Sequence, residues 1–268
     1  MVQSNIAVCG SLFLVSRYMV CPIEIRETRG LRTLHFGSDW VQGTMRINRP
    51  NALELAYTRE MMASLLLSAS WPDLPKHILQ IGLGAASLTR FIYANLPEAQ
   101  QTVVELEPVV VGAAQQGFKL PPLGDRLQIE IAEGAAWMAT ATGQYDLILI
   151  DGFDAAGETG ELESLAFYQD CRLRLAPGGL LVCNFLSLSA RFLKSCIALD
   201  AAFHGQSRLL PQTPGGNVIA LGALSTTAQL DENSLRERAE KLEADTGLDL
   251  NPLVERLLAQ EDGLPFSV

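Results

Sequence analysis

The sequence predicts an α/β fold built on a mostly parallel, seven-stranded sheet covered by helices on both faces. Two observations carry this. From His77 onward, short β-rich runs alternate with stretches whose apolar residues recur every three and four positions. The β-rich runs, such as "HILQIGLG", "YDLILIDG" and "GLLVCNF", are almost continuously apolar, as strands buried on both faces must be. A third feature fits the same architecture. The segment "ILQIGLGAASLTRF" passes from strand to amphipathic helix through Gly82-Leu83-Gly84, a turn that lets backbone amides approach a ligand at a helix N-terminus. Glycine also serves plain strand–helix packing, so the turn alone leaves both uses open.

The elements follow in order. Residues 19–60 read as β-like: "PIEIRETRGLRTLHFG" contains two alternating stretches joined near "ETRG", a hairpin signal, and "WVQGTMRI" is a third strand. From Leu53, "LELAYTREMMASLLLSA" takes helical spacing. The sheet strands are then "HILQIGLG", "QTVVELE", "LQIEIAEG", "YDLILIDG", "GLLVCNF", "SRLLPQ" and "NVIALGAL", with helices expected to begin near Ser87, Pro108, Ala135, Leu162 and Ser187. No helix separates the last two strands, so they form an antiparallel edge hairpin turned by Thr213–Gly216. Past Thr226 the chain is helical and charged. Asp231 or Ser234 caps one helix ending near Gly247, and Asn251 caps another with Pro252 as its first residue. The expected division is a small β domain over 1–60, the sheet-bearing domain over 61–225 and a helical extension over 226–268. The first eighteen residues are either an extra strand or an upstream extension with Met19 as the start. Their apolar portion is too short to span a bilayer and no basic residue precedes it.

Composition narrows the function. The 268 residues carry 20 Lys plus Arg against 30 Asp plus Glu, a net charge of −10. Such an acidic chain lacks the basic footprint of a nucleic-acid binder and favours a cationic substrate such as an amine. Five cysteines without a CxxC pair fit a reducing, cytoplasmic setting better than a disulfide framework. Three widely spaced histidines suggest no metal site.

In an open parallel sheet, ligands bind at the carboxyl ends of the strands. Beyond the glycine turn, the second strand ends in Glu105, with Glu107 two residues on and on the same face if the strand stays regular; either is placed to take both hydroxyls of a ribose. The third ends at Glu133, near where a purine edge would lie. The fourth ends in "LILIDGFDAAGE", with Asp151 at its tip and Asp154 three residues later. An aspartate after four apolar residues caps backbone or serves function, because leaving it unpaired is costly. Together the two carboxylates can hold an ammonium and accept its proton. Asp154 taken singly reads as a turn residue, and Glu105 and Glu107 taken singly as a solvated strand end.

Taken together, these residues resemble the spermidine synthase (polyamine aminopropyltransferase) family over about Leu34 to Leu224. The family's "GGGDGG" turn corresponds to "GLGAAS", its "VEID" to "VELE", its "GDG" to Ala132-Glu133-Gly134, its "DSSDP" to Asp151-Gly152-Phe153-Asp154-Ala155, and its "DGVIQ" to "SDWVQG". The resemblance implies a class I methyltransferase-like Rossmann fold behind a small N-terminal β domain. It implies cofactor-type nucleoside contacts from Gly82, Gly84, Glu105, Glu133 and Gly134, a catalytic base at Asp151, an amine holder at Asp154, and substrate contacts from Gln42 and Tyr57. Three departures stand out: Ala85 replaces the acid that holds the donor's ammonium, Thr213 replaces a substrate-facing tyrosine, and Phe153 and Ala155 replace a serine and a proline. A charged contact of that kind is worth ~1.5–3 kcal/mol, or about one to two powers of ten in affinity.

The activity implied is aminopropyl transfer from decarboxylated S-adenosylmethionine to an amine such as putrescine, releasing methylthioadenosine, with no permanently bound cofactor and no metal. A homodimer is implied by the resemblance alone. Two rival readings use the same residues: a methyltransferase taking intact S-adenosylmethionine, which Ala85 favours, and a catalytically silent nucleoside-binding homologue.

Overall fold

A computed structural model describes residues 23–154, 157–225 and 230–259. Cys9, Met19, Cys21 and Ala155 lie outside the described residues. The chain opens with β1 (Ile23–Thr28), β2 (Leu31–Phe36) and β3 (Gly43–Arg46), an antiparallel three-stranded sheet in the order β1-β2-β3. The β1–β2 hairpin closes through Arg29 and Gly30, both at positive φ (51° and 74°), the backbone a two-residue loop requires. The third strand starts at Gly43, so Trp40, Val41 and Gln42, expected within it, form the approach to it instead.

The helical stretch after Leu53 is two short helices, α1 (Ala56–Met61) and α2 (Ala63–Leu67), broken at Met62, whose ψ of 2° leaves the helical range. There follow β4 (His77–Ile81), α3 (Ser87–Asn95), β5 (Gln100–Glu105), α4 (Pro108–Gly117), β6 (Leu127–Ile131), α5 (Gly134–Thr140), β7 (Tyr145–Ile150), a single 3-10 turn (Gly160–Glu163), α6 (Leu165–Leu173), β8 (Leu175–Leu186), α7 (Phe192–Ala202), β9 (Ser207–Leu209) and β10 (Asn217–Ala223). The sheet order is β6-β5-β4-β7-β8-β10-β9. Pairing is parallel from β6 to β8, and β10 is antiparallel to both β8 and β9. This is the class I methyltransferase-like arrangement with its antiparallel edge hairpin.

Two helices start later than the sequence pattern places them. Leu162 belongs to the 3-10 turn, and α6 begins after Ser164, whose hydroxyl accepts the Phe167 N–H. Ser187 lies in a turn, its hydroxyl donating to the Gly216 carbonyl, and α7 starts at Phe192. In the tail, α8 (Glu232–Thr246) is capped by Asp231 and stopped by Gly247 in the left-handed region. In α9 (Asn251–Leu258), Asn251 is the first helical residue and not the cap.

Alternate residues of the central strands face two separate cores, as a strand's two-residue period demands. Ile78, Leu147, Leu149, Val182 and Ile219 pack under α1, α2, α3, α8 and α9. Leu79, Ile81, Ile148, Ile150 and Leu181 pack under α5, α6 and α7. The small sheet is joined to the large one by Leu34, Met45, Ala85 and Phe118 and by a buried cation. Arg90 on α3, 1% exposed, donates Nη1 to the carbonyls of Ala85 and Phe118 and Nε to Pro50. Burial lowers its pKa to about 10. Arg90→Ala would strand three carbonyls at this seam, and we expect it to cost about 2–3 kcal/mol of stability, read as a lower urea midpoint with an unchanged slope.

Candidate functional site

The strand order makes the tips of β6, β5, β4, β7 and β8 neighbours along one edge, and each expected acid stands at one of them. The glycine turn after β4 sits in the middle. On one side the Leu83 N–H donates to Glu105 Oε2 at 2.8 Å. On the other, Gly82, at φ 91°, lies so close to β7 that a Cβ there would stand 2.2 Å from the Asp151 carbonyl oxygen. The Asp151 N–H in turn donates to the Ile81 carbonyl at 2.9 Å. The turn therefore touches Glu105 and Asp151 at once.

Glu105 is buried, and its other oxygen accepts the Glu107 N–H at 2.9 Å. Burial raises its pKa, opposed by these backbone donors. Strand β5 stops at Glu105, so the expectation that Glu105 and Glu107 share a strand face does not hold; Glu107 is the N-cap residue of α4. Glu133 is exposed and turned onto its own helix, accepting the N–H groups of Ala135 and Ala136 as the cap of α5. A carboxylate retains acceptor capacity beyond two such bonds.

Asp151 is half-buried and bonded from two sides. Asn184 Nδ2 on β8 donates to its Oδ1 at 2.9 Å, and its carboxylate is hydrogen-bonded to the Tyr57 hydroxyl on α1. Loss of water raises its pKa above the ordinary 3.8, with Asn184 and Tyr57 pulling it back. Tyr57 is pushed well above its usual range by burial and by the Asp151 charge. Three residues on, Asp154 is exposed and accepts the Glu158 N–H at 2.9 Å, holding the loop that follows. Gln42 lies over the other end of the turn: its carbonyl oxygen would be 3.4 Å from a Cβ on Gly84.

The structure thus gathers Gly82, Gly84, Glu105, Gln42, Tyr57 and Asp151 about one turn, with Glu133 and Gly134 at the adjoining tip. Ala85 is elsewhere in kind. It is 2% exposed, its methyl would meet a Cβ on Gly43 at 2.5 Å, and it packs with Leu34, Met45 and Phe118. An acid at this position would enter an apolar seam.

Sequence reasoning passed over two participants. Leu162 lies against the tips of three strands, because a Cβ on Gly134 would meet its Cδ2 at 2.9 Å and one on Gly152 its Cδ1 at 2.7 Å, with Ile81 beside both. Asn184 was hidden inside the apolar run "LLVCNF", where a lone polar residue at 5% exposure was itself the available signal. A shallow cleft lined by Asp73, Lys76, Asp146 and Gly178 opens at the opposite, amino-terminal ends of the strands. There Asp146 is committed to the N–H groups of Lys76 and His77.

No protein-family model matches the chain. It is 38% identical over 235 residues, 88% of either chain, to the polyamine aminopropyltransferase of Chromobacterium violaceum. Among solved structures, it superimposes with a TM-score of 0.66 on a probable spermidine synthase from Corynebacterium glutamicum, at 20% identity, covering 91% of this chain and 94% of that one. The human methyltransferase-like protein 13, solved with S-adenosylhomocysteine, gives a TM-score of 0.61 at 22% identity over 78% and 96%. These two share the fold; the identity and coverage shared with the curated relative carry more, and on them the chain belongs to the polyamine aminopropyltransferase family.

Proposed function

We propose that the chain transfers an aminopropyl group from decarboxylated S-adenosylmethionine to an amine such as putrescine, releasing methylthioadenosine. The observation that carries this beyond family membership is Asp151. Its carboxylate stands at the sheet's active edge, held by Tyr57 and Asn184 and stripped of much of its water.

In this reading Gly82 and Gly84 let the backbone approach the nucleoside, Glu105 takes the ribose hydroxyls, and Glu133 and Gly134 flank the adenine. Asp154, Gln42 and Tyr57 line the amine side. Asp151 removes a proton from the acceptor's ammonium. The freed lone pair forms a C–N bond at the methylene beside the sulfonium while the C–S bond breaks, its electron pair passing to sulfur. Sulfur leaves as a neutral thioether, so the chain's own contribution is alignment and proton removal. The base must be ionised, so turnover is expected to fall as the pH drops through a pKa raised above 3.8. A cytoplasmic location and a homodimer complete the proposal, supported by the free buried thiols of Cys171, Cys183 and Cys196 and by the family resemblance respectively.

Incubating purified protein with either donor and a panel of amines tests the assignment. Methylthioadenosine from the decarboxylated donor is expected. S-adenosylhomocysteine from the intact donor would favour methyl transfer, and neither product would favour a silent homologue.

A further inference from the structure

Asp151 is held on its β8 side by two amides in series. Asn184 donates Nδ2 to Asp151 Oδ1, and its own Oδ1 accepts Nδ2 of Asn217 at 2.9 Å. The sheet register puts them within reach. Asn217 pairs with Leu186 across the β8–β10 ladder, which leaves it diagonal to Asn184 on the same face. Asn217 is itself fixed by the edge hairpin: its N–H donates to Thr213 Oγ1 at 3.1 Å, and the Thr213 N–H donates to its carbonyl at 2.8 Å. Thr213 is 3% exposed, so this anchor is shielded from competing water.

A carboxamide can present either of two faces, and its neighbours decide which. With the Asn184 carbonyl taken by Asn217, the amino group must face Asp151. An amino face stabilises a carboxylate, whereas a carbonyl face is satisfied only by a protonated acid. Among the described residues, the ionisable group that interacts with Asp151 is Tyr57 on α1. Glu105 lies across the glycine turn, engaged by Leu83 and Glu107, and Asp154 follows on the chain, engaged by Glu158. Cys183, next to Asn184 on β8, faces the core under α5, α6 and α7.

We infer that Asn217, acting through Asn184 and anchored by Thr213, is a positioning device that keeps Asp151 ionised and aimed for proton removal. The position at which the family resemblance leads one to expect a substrate-facing tyrosine would then serve the base in place of the amine. The inference rests on the reading of Asp151 as the base.

The acid limb of the kcat–pH profile tests it in Asn184→Leu and Asn217→Leu, with methylthioadenosine affinity and thermal melting recorded alongside. The limb should move up by about one pH unit in Asn184→Leu, a roughly tenfold change in the protonation constant. It should move in the same direction, by less, in Asn217→Leu, with nucleoside affinity unchanged in both. Folded variants whose acid limbs stay in place would overturn the relay, even if their kcat fell. Should Asn184→Leu fail to fold, Asn217→Leu alone decides, because it leaves the buried Asn184 in place. Asp151→Asn in the same assay separates the two claims: if it stays active, Asp151 is not the base, and if it is inactive while neither limb moves, only the relay is wrong.

Discussion

Asp151→Asn should lower turnover by at least about a hundredfold, the lower end of what a positioned general base contributes, while methylthioadenosine still binds. The same change should raise stability. Asp151 has a folded-state pKa above its unfolded value of 3.8, so between those two values the folded protein binds more protons than the unfolded chain. Its stability therefore falls as the pH rises through that window and stays lower above it. Asparagine removes that cost and keeps the shape, with an amide oxygen to accept from Asn184 and an amide N–H to meet the Tyr57 oxygen. The melting temperature of the variant should thus exceed that of the parent at pH 7–8, with the gap shrinking toward pH 4. Calorimetric titration, a rate assay and melts at two pH values check all three effects. Near-normal turnover would defeat the assignment of the base.

Gly82→Ala should be still more damaging, and to structure as well as activity. Gly82 has φ 91°, outside the region an L side chain adopts at low cost. Its Cβ would also meet backbone, at 2.2 Å from the Asp151 oxygen and 2.7 Å from its carbonyl carbon. Backbone cannot rotate out of the way, so the tips of β4 and β7 must separate. Strain plus lost pairing should cost about 3–5 kcal/mol, or a melting temperature lowered by roughly 10 °C at 2–4 °C per kcal/mol. Any protein that folds would carry Asp151 displaced from the donor's reacting carbon. A thermal melt and a single-turnover rate are the checks, and a variant indistinguishable from the parent in both would mean the turn does not sit against Asp151.

The sheet was legible because its strands are so apolar that no other burial suits them, and because helix starts such as Pro108 carry their own signal. The later starts of α6 and α7 were not, since the 3-10 turn at Leu162 has helical spacing without helical length and the Ser187 hydroxyl, which reads as a helix cap, bonds to the Gly216 carbonyl instead. In the site, each acid at a strand tip could be placed from sequence because strand ends are fixed by where apolar runs stop. What each carboxylate does locally could not. Glu133 capping α5 and Glu105 gripping the glycine turn depend on backbone groups that no pattern of side chains reveals. The meaning of Ala85 changed most. Sequence marked it as a lost anchor, and the packing of Leu34, Met45 and Phe118 around it makes the position part of the join between the two sheets.

The chemistry requires one hollow shared by the acids of β5, β6 and β7, and a crystal structure with methylthioadenosine and putrescine both bound would examine that requirement most directly. The expected density has the ribose against Glu105, the adenine between Gly134 and Leu162, and an amine nitrogen within hydrogen-bond distance of the Asp151 carboxylate. A nucleoside seated with its thioether turned away from Asp151, or an amine bound at another surface, would contradict it.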